Sequence, residues 1–416
     1  MTSLKSNTYP NDEKGKSYNP YKTPVKIVII IYVLFSIISL GYALITGNYN
    51  GDFINSKVNL NLFGLLIAFI ISIIPYIILY KFYTVFSKKK SKWVVLLNPK
   101  ILYPITVAIF LIHIALGFLF GVGRAGGDEY SVPSVIKPLI QIMIRISPLT
   151  WGTILLMTID KKQYSKIIFI IFLFMLLGIA RAAFGFVSLI IPILFIKYYL
   201  EIKHYFNKHK IIIVICAMLL PPFVRFGYEA RSHLRGDNYD LPDDSMSLVC
   251  GKLVGRLSSF SNTAILIEKA PQYIIAAKNL DPLFFERGML SAVSQYFAVE
   301  NRPERILMLD ERVPENSSFI LGSGGIMIFS LYVSPETLVV NFILVLLIYF
   351  VIFKLCSLYK NPLGATIAVL LLLGPTLSGV AGEYFLNVIL ICSAILLISL
   401  VNNWINHKKV IVKNES

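Results

Sequence analysis

Eleven arginines carry most of the chemistry that this sequence offers, and they are unevenly placed. A guanidinium stays charged, presents five donors in a planar fork and grips phosphate oxygens two at a time. A collected set of arginines therefore points to an anionic, phosphate-bearing ligand. The densest stretch runs from Arg225 through Tyr228, Glu229, Arg231, His233 and Arg235 to Gly236. On a continuing helix Arg231 and Arg235 are neighbours one turn apart, with Tyr228 and Glu229 a turn earlier. His233 is a candidate base, although a lone loop histidine is more often simply solvated. Arg256, between Gly255 and Leu257, follows an acidic turn, and Arg287 beside Gly288 is a further candidate.

Two arginines stand in apolar surroundings. Arg181 separates two apolar runs in a tight turn, where a charge is avoided unless it faces a wet cavity or reaches for lipid headgroups. Arg145 lies roughly 10 Å into another apolar run at 1.5 Å per residue, and shares a helical face with Lys137 and Gln141. Arg302, Arg305 and Arg312 alternate with acids and read as ordinary surface charge.

Carboxylates are fewer. Arg124 opens a glycine-rich loop that ends in Asp128-Glu129, adjoining acids able to hold a metal or act as a base, or else simply solvated. Glu383 adjoins a glycine-flanked turn and is expected to face the same vestibule. Four scattered cysteines without a CxxC or a histidine cluster indicate neither a disulfide framework nor a zinc site. No phosphate loop, HExxH or nucleophile elbow is present, so neither nucleotide-driven chemistry nor a cofactor is expected.

These residues are positioned by membrane helices. Of 416 residues, 56% are apolar and only 15% charged, with a mean hydropathy of +0.71. A soluble chain carries about 25% charged residues. Repeated apolar runs are long enough to cross roughly 30 Å of hydrocarbon. The expected spans are 25–45, 60–80, 101–122, 138–159, 167–179, 182–198, 211–226, 338–353, 364–377 and 385–401. The stretches 167–198 and 364–401 are each flanked by lysines at both ends, so each crosses an even number of times.

Charge tests this all-α, ten-helix arrangement. The segments expected inside are 1–26, 81–100, 160–166, 197–210, 354–360 and 402–416; they carry 23 lysines and no arginine. The net charge of +16 is thereby assigned to membrane orientation and not to nucleic acid. The expected organisation is a cytoplasmic tail (1–24), seven helices (25–227), an outer segment (228–335), three helices (336–403) and a cytoplasmic tail (404–416). The outer segment, about 105 residues, reads as a cap of short amphipathic helices on the bundle mouth.

This pattern resembles the Wzy-type O-antigen polymerases in its helix number, its large outer loop in the second half and its loop arginines. Arg225 and Gly236 match the family's Arg-x10-Gly loop motif, Arg181 corresponds to the arginine at the turn between helices five and six, and 322–332 is similar to the glycine and aromatic stretch before the next helix. The resemblance implies a GT-C-like fold in the cytoplasmic (inner) membrane and inverting, metal-independent glycosyl transfer at its outer face. The donor would be a glycan on undecaprenyl diphosphate, and the product an O-antigen or capsule-type polysaccharide. It implies catalytic roles for Arg181, Arg225, Arg231, Arg256 and His233. Substrate contacts would come from Arg124, Asp128, Glu129, Arg145, Tyr228, Arg235 and Arg287, and sugars would lie on aromatics such as Tyr239, Phe260, Tyr296 and Phe297. Membrane lipids, a chain-length regulator and a flippase are the implied partners. An O-antigen ligase using the same donor, or a flippase for it, are the competing readings.

Overall fold

The computed structural model describes residues 19–54, 56–89, 98–123, 137–181, 185–235, 245–294 and 321–414, with 95, 133 and 297 between them. For 185–188, 212–214, 216–217, 231–235 and 401–414 it describes the backbone alone. Among the described residues the fold is all-helical, 82% helix and no strand.

The first half contains α1 (Lys22–Thr46), α2 (Leu62–Phe86), α3 (Pro99–Phe120), α4 (Lys137–Arg145), α5 (Pro148–Thr158), α6 (Tyr164–Ala180), α7 (Gly185–Lys197), α8 (Tyr199–Lys208) and α9 (Lys210–Arg235). Four short helices follow: α10 (Ser245–Leu248, running on into a π-turn at Val249–Val254), α11 (Phe260–Glu268), α12 (Ala270–Ala277) and α13 (Phe284–Ser291). The chain ends with α14 (Gly322–Val333), α15 (Pro335–Cys356), α16 (Leu363–Ser378) and α17 (Ala381–Asn414). Local chemistry sets several boundaries. Asn61 and Ser334 accept the first free N–H groups of α2 and α15, and Asn98 does the same for α3. Pro99 and Pro335 occupy first helical positions, where a missing N–H costs nothing.

Each expected span overlaps a helix. Among the described residues six stretches are long and apolar enough to cross a membrane: α1, α2, α3, α4 with α5, α15 and α17 to Leu400. The described helices α6, α14 and α16 are shorter apolar helices. The molecule is a polytopic α-helical membrane protein, and its packing has the matching polarity. Ser36 and Ser39 of α1 are buried while Ile30, Leu34, Ile37 and Leu44 are exposed, the reverse of a soluble helix.

The fourth expected span is not one helix. It breaks at Ser147, which is extended (ψ 116°), because Pro148 supplies no N–H and disfavours helical geometry in the residue before it.

Lysine-rich segments meet at one end of the bundle. Lys197 donates to the carbonyls of Leu156 and Ile159, and Lys161 pairs with Glu201 on α8. The Lys166 ammonium lies over the Tyr103 ring, while Asn361 donates to the carbonyls of Phe86 and Lys89. Asn19 reaches Tyr83 at this same end.

The short helices are not only a lid. In α11 every residue from Phe260 to Leu266 is buried, and the helix packs against α1, α2 and α14. Phe260, expected to hold sugar, is fully buried and belongs to the core. The loop between α1 and α2 fastens this segment: Asp52 meets Arg256 at 2.8 Å and accepts from Asn262 at 2.9 Å, while Ser261 donates to Asn50 at 2.6 Å. Gly51 and Gly255 touch backbone to backbone, so a Cβ on Gly255 would lie 2.2 Å from the Gly51 nitrogen.

Candidate functional site

Polar residues from distant parts of the sequence meet in a cavity of about 420 Å³. Its walls come from the Ser147 break and α5, the turn after α6, α7, the end of α16 and the start of α17. Among the described lining residues, Arg181 and Glu383 are the two that carry formal charge; Ser147, Thr150, Thr153, Ser378 and Asn387 supply neutral polar groups.

Arg181 caps α6, its N–H bonded to the Leu177 carbonyl, and the chain turns there as the apolar runs on either side demand. The guanidinium sits in a made-to-measure space. Gly123 has a φ of +77°, and a Cβ there would come within 3.1 Å of the Arg181 Nε. On another side the Arg181 guanidinium donates to Nδ1 of His113, a buried residue of α3. A nitrogen that accepts from a guanidinium keeps its lone pair, so the imidazole is neutral with its proton on Nε2. The same ring meets the backbone of Met143 and Ile146, at the break between α4 and α5. Burial lowers Arg181 to about 10, which leaves it a cation at neutral pH.

Glu383 lies in the first turn of α17 and is exposed. Ser378 donates to its carboxylate at 2.6 Å and also accepts from the Val380 N–H at 3.2 Å, so the turn between α16 and α17 is tied to the acid it presents. One helical turn on, Asn387 accepts from Thr150 at 3.1 Å and donates to the Leu371 carbonyl at 3.1 Å. That amide joins α5, α16 and α17.

The expected site residues divide. Arg181 lines the cavity. Arg225 pairs with Glu229 at 2.8 Å along α9, both half-exposed, and Tyr228 is half-buried on the same helix. The helix does continue to Arg235, placing Arg231 and Arg235 one turn apart, but the side chains of Arg231, His233 and Arg235 lie outside the described residues. Arg256 is held by Asp52, whose carboxylate is 3% exposed, and Arg287 pairs with Asp281 at 2.9 Å on the surface. Arg145 ends α4 and is half-buried. Arg124, Asp128 and Glu129, like Tyr239 and Tyr296, lie outside the described residues. Arg145, Arg225, Arg256 and Arg287 are not among the residues lining the cavity.

His113 escaped the sequence reading. Its signal was present: an ionisable side chain inside an apolar run marks a functional or wet position. Asn387 carried the same kind of signal in a later run. Among the described residues no three of His, Cys, Asp and Glu are grouped to hold a metal ion. No protein-family model matches the chain, and neither a curated protein nor a solved structure is found similar to it.

Proposed function

We propose that the protein polymerises oligosaccharide repeat units carried on undecaprenyl diphosphate, at the outer face of the cytoplasmic membrane. In this reading ten helices cross, both termini are cytoplasmic, and residues 228–335 belong to the outer side. One observation carries the proposal: a permanent cation, Arg181, is held in place before any ligand arrives, on the wall of a cavity of about 420 Å³. That volume falls within the roughly 300–1,000 Å³ typical of small-molecule sites.

The chemistry follows from charge. Transfer breaks the bond between the anomeric carbon and a diphosphate oxygen, so negative charge grows on the departing lipid diphosphate. A fixed guanidinium needs no reorganisation to meet that charge. The energy resides in the sugar–phosphate bond, and no nucleotide is required. Exposed apolar faces of the helices suit the polyprenyl tail, which is as apolar as the lipid around it. Arg225, Arg231 and Arg235 along α9 are the remaining candidates for phosphate or sugar contacts, while Arg256 is assigned to the Asp52 tie.

A flippase for the same lipid is the second reading, and the break at Ser147 favours it, since interrupted helices beside a cavity are common in transporters. Purified protein in liposomes, supplied with lipid-linked repeat units, separates the two. A ladder of polymer lengths supports the polymerase; unchanged single units together with their movement across the bilayer support the flippase. In cells, loss of the gene leaves a single repeat on the lipid anchor for a polymerase and unattached polymer for a ligase.

A further inference from the structure

We propose that Glu383 is the general base of this transfer, taking the proton from the acceptor hydroxyl while Arg181 holds the departing diphosphate; the proposal rests on the function given above. Polymerisation needs two opposite services within one site. One stabilises a leaving anion, and the other accepts a proton from a sugar hydroxyl that is a poor nucleophile while protonated.

Arg181 and Glu383 supply those two services from separate elements. The arginine comes from the turn after α6 and the acid from the start of α17, and both face the same cavity. The neutral polar groups beside them are poor alternatives. Thr150 donates to Asn387, Asn387 donates to a backbone carbonyl, and Ser378 donates to Glu383. Hydroxyls and amides of this kind accept protons poorly at neutral pH. A carboxylate is the one strong proton acceptor among the described lining groups.

Its placement also suits the task. Glu383 is exposed to the cavity, so a sugar hydroxyl can reach it. The hydrogen bond from Ser378 engages Oε2 and ties the carboxylate to the turn. The start of α17 is braced by α13, whose Gly288 lies against Ala381, so the acid rides on a packed turn. In the step itself, the acceptor oxygen forms the new bond to the anomeric carbon and its proton passes to a Glu383 oxygen. The bond to the diphosphate oxygen breaks, and its electron pair leaves with the lipid diphosphate. The proton is then lost to water at the cavity mouth.

The test uses purified full-length protein, lipid-linked repeat units and azide, an anion that attacks without losing a proton. Glu383→Gln keeps an acceptor for Ser378 but removes the base. Polymer formation should fall by about 10²–10⁴-fold, with donor binding unchanged and glycosyl azide still formed when azide is added. Polymer formation at the wild-type rate would overturn the proposal. So would loss of both polymer and glycosyl azide, which would make Glu383 a structural residue of the turn. Glu383→Ala, assayed the same way, takes over if the Gln variant is not recovered folded. Arg181→Ala provides the separate control: if it retains both products, the reading of the cavity as the transfer site fails, whatever Glu383 does.

Discussion

Arg181 and Arg256 are both withdrawn from solvent, both sit beside a glycine contact, and both were expected to grip the same diphosphate. Their surroundings separate them. Arg256 faces the nearly buried carboxylate of Asp52 at 2.8 Å, and Asn262 braces that acid. Arg181 donates to a neutral imidazole, a contact that orients the guanidinium, and it lines a cavity. The Asp52 contact ties Arg256 to a second segment, whereas the His113 contact orients Arg181 on the wall of a cavity. The difference lies in the partner and not in the arginine.

The largest expected effect falls on the cavity side. Arg181→Ala removes the preorganised cation and should lower polymer formation by about 10²–10³-fold, the scale of losing one donor to a developing anion. Arg181→Lys keeps the charge without the fork and should cost about ten- to hundredfold. Both are read as chain length and rate with purified protein matched for folded amount. Full-length polymer from a folded Ala variant would erase the distinction between the two arginines.

The tie between the α1–α2 loop and the Arg256 segment should respond in stability instead. Removing one partner of a fully buried ion pair costs about 3–5 kcal/mol. Arg256 keeps 23% of its side chain exposed, so about 1–3 kcal/mol is expected after that screening. Arg256→Ala and Asp52→Ala should both lower the melting temperature in detergent, with turnover per folded molecule nearly unchanged. A variant that melts normally but no longer polymerises would return Arg256 to the catalytic set.

A smaller effect tests how Arg181 is held. Gly123→Ala places a methyl group 3.1 Å from the Arg181 Nε, so the guanidinium must give way by a few tenths of an ångström, at a φ of +77°. The left-handed backbone alone costs about 1–2 kcal/mol for a residue with a Cβ. The expected outcome is a modest fall in melting temperature and a larger fall in turnover, because the displaced group is Arg181. Equal falls in both would mean that the glycine serves the fold and not the guanidinium.

Helix positions were legible because lipid imposes length and apolarity, and because Asn61, Asn98, Pro99 and Pro335 mark starts by chemistry local to the chain. The convergence of lysine-rich segments was legible for a similar reason: charge at helix ends obeys orientation. The break at Ser147 was written in Pro148 but hidden by unbroken apolarity on both sides. The cavity was only half legible. Arg181 and Glu383 announced themselves as charges beside apolar runs. That Arg181 meets His113, or that Arg256 meets Asp52, depends on pairings between segments 68 and 204 positions apart, which no local pattern encodes.

The smallest expected effect concerns α9, which stands between the two cases. Arg225 and Glu229 form an i,i+4 pair at 2.8 Å with both side chains more than a third exposed. Such pairs contribute only about 0.3–0.5 kcal/mol, so Arg225→Ala should leave the melting temperature almost unmoved. That makes the variant a clean probe of function, since any loss of polymer then cannot be assigned to unfolding. Glu229→Gln releases Arg225 without removing it. If the guanidinium belongs to the substrate site, Arg225→Ala should slow polymerisation while Glu229→Gln leaves it intact or raises donor affinity. If both variants polymerise at the wild-type rate, the Arg225 pair is a surface feature of α9. The diphosphate-binding charge then has to come from Arg181 and from residues further along the chain.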